Sequence, residues 1–170
     1  MKKLLLILFA ALLLSGCAAA PQANSEYSAE DINFAEMMIP HHEQAILMSN
    51  IALTNSISEE ILVLAQEIKD AQSPEIELMK SWTGVDSSTH MGHMMDGMLS
   101  ESQIQELRDS EGATFDRLFL EGMIAHHEGA ITMAQKVTGS ENKEVAALAT
   151  AIIEAQEKEI AFMRELIKFY

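Results

Sequence analysis

The sequence predicts an all-α protein, a four-helix bundle assembled from two copies of one helical hairpin. Three observations lead there. The pattern Met-Ile-x-His-His-Glu-x-Ala-Ile-x-Met occurs at 38–48 and again at 123–133. A second pattern follows each copy: Ile68, Ala71, Gln72, Glu75, Ile76 and Met79 return as Ile152, Ala155, Gln156, Glu159, Ile160 and Met163. Apolar residues recur at intervals of three and four, with no alternating strand pattern. Each hairpin carries an apolar face that it cannot bury alone, so two hairpins packed about a pseudo-twofold axis close the core.

Residues 1–16 read as a lipoprotein signal peptide. Met1-Lys2-Lys3 is a basic start, and residues 4–14 are an apolar run too short to span a bilayer as a helix. Leu14-Ser15-Gly16-Cys17 then matches a bacterial lipobox, in which Cys17 takes the lipid and becomes the mature N-terminus. Cys17 is the only cysteine, so no disulfide forms within the chain, and its thioether leaves no thiol for a metal. Residues 17–28 form the lipidated N-terminus and a small, polar tether. The mature chain keeps 154 of the 170 residues, enough for one domain at 29–170. Losing Lys2 and Lys3 takes the formal charge from −15 to −17, which argues against nucleic acid and against a polybasic grip on anionic lipid. The expected location is therefore outside the cytoplasm, facing the periplasm or cell exterior, with the lipid as the only membrane contact.

Within the domain, Ser28 with Asp31 marks the start of a helix over 29–54. Asn55-Ser56-Ile57-Ser58 breaks it, and Ser58 is expected to cap a second helix over 59–82. Residues 83–99 are a loop rich in Gly, Ser, His and Met. Ser100 and Gln103 form a capping box for a short helix to 110. A third long helix is expected over 114–138, stopped by Gly139, and Ser140 is expected to cap the last, which runs to 169. Pro40 and Pro74 fall inside helices and are expected to bend them. Their counterparts are Ala125 and Lys158, so the shared chemistry does not require proline.

Four of the six histidines are the two His-His pairs, and the other two lie in the Met-rich loop. On a helix, Met38, His42 and Ala45 share a face, as do His41, Ala45 and Met48; the second copy repeats this with Met123, His126, His127, Ala130 and Met133. Imidazole nitrogen with thioether sulfur suits copper, Cu(I) before Cu(II). The candidate helical ligands are Met38, His41, His42, Met48, Met123, His126, His127 and Met133; which histidine of each pair ligates stays open. Gln72, Glu75, Met79, Gln156, Glu159 and Met163 fall near the core stripe of the partner helices, where they would orient the imidazoles from behind. The loop offers a second set, His90, Met91, His93, Met94, Met95 and Met98, expected to be exposed, mobile and quick to exchange its ion. Catalytic readings fare worse, and an enzyme with an unfamiliar metal centre stands only as a third reading. No histidine has Glu three residues before it, as a di-iron bundle needs. Ile46 and Ile131 stand where a zinc protease needs its second histidine. The single cysteine leaves no thiolate for Cys–His catalysis or blue-copper ligation.

Over essentially the whole mature domain the chain resembles the bacterial domain of unknown function 305 family. The most specific stretches are 38–48 and 112–134, the latter including Phe115-Asp116-Arg117-Leu118-Phe119-Leu120. The resemblance implies a ferritin-like fold, and some members are exported copper-binding proteins linked to copper resistance. The expected function is thus non-enzymatic: an exported lipoprotein that buffers, sequesters or passes on copper, with copper ions and a copper-transfer protein as partners. The alternative is a structural or interaction lipoprotein whose His-His pairs only hydrogen-bond the core. The anchor is open to a direct test. Cys17→Ala should move the protein from the membrane fraction to the soluble fraction on cell fractionation; retention with unchanged mobility would rule out the lipobox.

Overall fold

The computed structural model describes residues 26–88 and 95–170. Among these residues the chain forms α1 (Ala29–Asn55), α2 (Glu59–Lys80), α3 (Glu101–Asp109), α4 (Gly112–Ala134) and α5 (Lys143–Leu166), with 3-10 turns at Gln135–Val137 and Ile167–Phe169. The signal peptide, Cys17 and the tether up to residue 25 lie outside the described residues, as do His90, Met91, His93 and Met94. No described helix is long and apolar enough to cross a membrane.

The four long helices form the bundle of two hairpins. α1 packs on α2, α4 packs on α5, and α1 meets α4, which makes α1 and α4 the inner pair. These two run antiparallel: Ser56, at the end of α1, donates its hydroxyl to Asp116 near the start of α4 at 2.5 Å. Asp116 is buried, and so is its counterpart Asp31, which accepts the Ser28 N–H at 2.8 Å to close the capping box of α1. A buried carboxylate without such partners would cost several kcal/mol. The pairing therefore fixes how each inner helix begins.

Two apolar clusters fill the interior. One holds Met48, Leu64, Ile68, Leu99, Phe115, Phe119, Met123 and Met163; the other holds Phe34, Met38, Met79, Trp82, Met133, Leu148 and Ile152. Each therefore draws on both hairpins, as the unpartnered apolar faces require.

Several helix ends differ from the sequence expectation. Ser58 makes no capping bond, because its hydroxyl is turned to Glu60 and receives the Tyr170 hydroxyl at 2.5 Å. α2 ends at Lys80, two residues early, since Trp82 swings out of helical register to donate its indole N–H to Glu144 at 2.8 Å and to stack on Tyr27. Gly139 is not a left-handed cap. α4 instead tightens into the 3-10 turn, and the Ser140 N–H closes on the Val137 carbonyl at 3.0 Å. Asn142, not Ser140, caps α5 by accepting the Glu144 and Val145 N–H groups, while Ser140 holds the Asn142 N–H. α1 and α2 run unbroken through Pro40 and Pro74.

Candidate metal centre

The four motif histidines all lie on the inner helices with no exposed surface. His41 and His126 are counterparts in the two repeats, and they meet: their ring centroids are 3.8 Å apart at an angle of 42°. A residue can touch its own counterpart only on the pseudo-twofold axis, so this pair marks the axis. The methionines follow the same symmetry. Met38, Met79 and Met133 share one apolar cluster, and Met123, Met163 and Met48 share the other. The imidazole pair thus belongs to a core with a methionine triplet in each half, and Met79 and Met163, expected only behind the ligands, sit with the motif methionines.

The second histidine of each pair ties its own hairpin together. His42 Nε2 lies 2.8 Å from Glu75 Oε2, and His127 Nε2 lies 2.5 Å from Glu159 Oε2. A carboxylate accepts, so Nε2 carries a proton and donates it to the bond. His41 follows the same logic: Nε2 donates to the main-chain carbonyl of Asp96 at 3.2 Å. Among the described residues the Nδ1 atoms of His41, His42 and His127 have no hydrogen-bond partner, and neither nitrogen of His126 makes a well-formed one, although the His41 main chain lies near enough to act on that ring. Gln72 and Gln156, both buried, also leave Oε1 unpartnered. Buried polar groups are nearly always paired. Here His41 Nδ1, one nitrogen of His126 and the two glutamine Oε1 atoms are lone-pair acceptors without a donor among the described residues. Among the described residues no three His, Cys, Asp or Glu side chains converge on one point, so a metal here would draw on imidazole and methionine together.

Burial pushes the His41 imidazole down to about 3, with the neighbouring His42 adding to the effect. Burial likewise holds His126 well below its ordinary range, reinforced by His41 and His127. Both rings are therefore neutral near neutral pH and keep a lone pair for a cation.

The loop departs from expectation. Met95 and Met98 are half-buried, not exposed, and Met95 packs against the cluster that contains Met38. Gly97 turns the chain at φ +83°, with the Met98 N–H closing on the Met95 carbonyl at 3.1 Å. Gln44 then grips Leu99 at both ends: its amide donates to the Leu99 carbonyl at 2.9 Å and its carbonyl accepts the Leu99 N–H at 2.8 Å. Residues 95–99 so form a strap that runs from one apolar cluster to the other, past His41 and α4. Gly129 is the counterpart of Gln44, and any Cβ there would strike the Asp96 carbonyl. Sequence reading passed over Gln44, Asp96, Leu99 and Gly129. The signal available was the mismatch of Gln44 and Gly129 in otherwise matching motifs, since glycine inside a helix is costly and points to close approach.

The neutral pair has a pH consequence. The unfolded chain takes up protons on these histidines near the ordinary value of 6.5, whereas the folded chain refuses them. Stability is thus fully present above that pH and falls as the solution is acidified, by about 1.4 kcal/mol per pH unit for each histidine. Urea midpoints should drop between about pH 6.5 and about pH 4.5, and less steeply in His41→Gln/His126→Gln. Equal slopes would mean that other groups govern acid stability.

A family model described as Domain of unknown function (DUF305) matches residues 31–167. A solved DUF305 fragment from Deinococcus radiodurans superposes with a TM-score of 0.74 at 27% identity, covering 84% of this chain and 98% of that one. CopM in its Cu(II)-bound form gives a TM-score of 0.72 at 34% identity, covering 82% of this chain and 97% of CopM. Its Cu(I)-bound form gives 0.66 at 31% identity, with 81% and 95% covered. Silver-bound CopM is similar as well, at 32% identity and a TM-score of 0.68. No curated protein matches the chain. The family match spans the bundle from the first turn of α1 to the end of α5, and the chain belongs to the DUF305 family.

Proposed function

We propose that this protein is an exported, lipid-anchored copper carrier that buffers, sequesters or passes on Cu(I), without catalysing a reaction. One observation carries the reading: a buried core in which, among the described residues, imidazole and amide groups are left without hydrogen-bond partners. A Lewis acid relieves that imbalance, and a soft monovalent ion suits it best. Imidazole and thioether are the donors at hand, and Cu(I) accepts few ligands of this type. A divalent ion would bring a larger desolvation cost to a centre whose closest rings are both neutral. The Cu(I)- and silver-bound forms of CopM support a soft ion for this fold, and CopM is also solved with Cu(II).

The two histidines of each pair divide the work. His42 and His127 hold Glu75 and Glu159 and so serve the hydrogen-bonding role of the alternative reading. Among the described residues His41 and His126 have no such carboxylate, and they are the nitrogen ligands in this proposal. Sulfur comes from the flanking triplets Met38, Met79, Met133 and Met48, Met123, Met163. The loop residues His90, Met91, His93 and Met94, with Met95 and Met98, are an outer capture site. The basic–apolar–Cys17 leader supplies export and the anchor, and a copper-transfer protein is the expected recipient.

Titration of the soluble domain with Cu(I) against a chromophoric chelator tests this reading. Stoichiometric binding is expected, lost in His41→Ala/His126→Ala. Because those changes hollow the core, Met38→Leu/Met133→Leu serves as a near volume-conserving companion that removes sulfur with little loss of packing. It should weaken binding while its circular dichroism stays that of the parent. Full-affinity binding in both variants would take the metal out of the bundle.

A further inference from the structure

The strap over the inner helices raises a question of access. His41 and His126 are fully buried, and the strap touches both of their surroundings. The Asp96 carbonyl accepts a hydrogen bond from His41 Nε2–H, and Gly97 sits so close that a Cβ on it would strike the Ala125 carbonyl and lie 3.1 Å from the His126 Cα. Among the described residues the strap is held by few bonds. Its polar fastening is the two-ended grip of Gln44 on Leu99, and its apolar fastening is the burial of Leu99 beside Gly122 and Met48. The same four features that break the symmetry of the repeat, Gln44, Gly129, Gly97 and Leu99, are those that seat the strap.

We propose that Gln44 is a positioning residue that holds the 96–99 strap down beside His41 and His126, and that an ion reaches this pair only when the strap lifts. Lifting breaks the Gln44–Leu99 bonds and the His41–Asp96 bond, and withdraws Leu99 from its cluster. The helices need not part. Gln44 would then set how fast the site loads and empties, while the ligands set how tightly it holds. The metal half of this inference rests on the copper reading; the strap itself does not.

The test compares the parent soluble domain with Gln44→Ala, Gln44→Glu and Gly129→Ala. Three rates are followed: hydrogen exchange of the Leu99 amide, carbethoxylation of each histidine read by peptide mass, and release of bound Ag(I) to a chelator. Gln44→Ala should raise all three by roughly tenfold or more, as expected for two lost hydrogen bonds. Gln44→Glu keeps the acceptor for the Leu99 N–H and should fall between. Gly129→Ala displaces the strap by collision and should raise labelling of His41 and His126 with Gln44 intact. Ag(I) affinity should not weaken in Gln44→Ala, because no ligand is lost. Faster exchange at Leu99 without faster labelling of His41 and His126 would overturn the gate. So would equal acceleration at His42 and His127, which means that the bundle opens as a whole. Absence of Ag(I) binding by the parent would instead overturn the copper reading, and the labelling arm would still decide the strap.

Discussion

Two neutral imidazoles face each other at 3.8 Å on the pseudo-twofold axis of a core without surface exposure. Neither can take a proton cheaply, because burial disfavours the charged form and each ring would then face the other's charge. Neither reaches the surface. The surrounding arrangement follows from that constraint. Glu75 and Glu159 fix the neighbouring His42 and His127 from the outer helices. Hydrogen-bonding capacity near the axis is therefore spent on holding rings in place, and His41 and His126 each keep one nitrogen lone pair free.

The duplication explains the symmetric part of this arrangement and the strap explains the rest. An exact twofold would place a second Gln at position 129 and a second loop across the other hairpin. One loop alone connects the two hairpins, so one copy of the motif grips it with Gln44 while the other yields space to it at Gly129. The same asymmetry appears at the ends. Asp116 receives the Ser56 hydroxyl across the inner pair, whereas its counterpart Asp31 closes a local capping box.

The bundle was legible because its cause is written locally: a doubled motif, intervals of three and four, and polar breaks between them. The symmetric pairing of His41 with His126 was only implicit, since residue spacing says which side chains share a helix face and not which counterpart lies across an axis. Capping was read less well. Ser58 and Ser140 are good caps by type, yet Tyr170 and Asn142 compete for the same turns from residues distant or adjacent in sequence. The composition of the 83–99 loop suggests an exposed, mobile segment, and composition cannot register that Gly97, Leu99 and Gln44 clamp its last residues to the helices.

The central claim is that the unpaired nitrogens of His41 and His126 are where a soft cation goes. The most direct measurement is the ¹⁵N spectrum of histidine-labelled protein with and without one equivalent of Ag(I), whose nuclear spin splits the resonance of any nitrogen it binds. The account predicts silver splitting at His41 and His126, with the Glu75- and Glu159-bonded Nε2–H signals of His42 and His127 retained. Splitting confined to His90 and His93, with the core resonances unmoved, would contradict it.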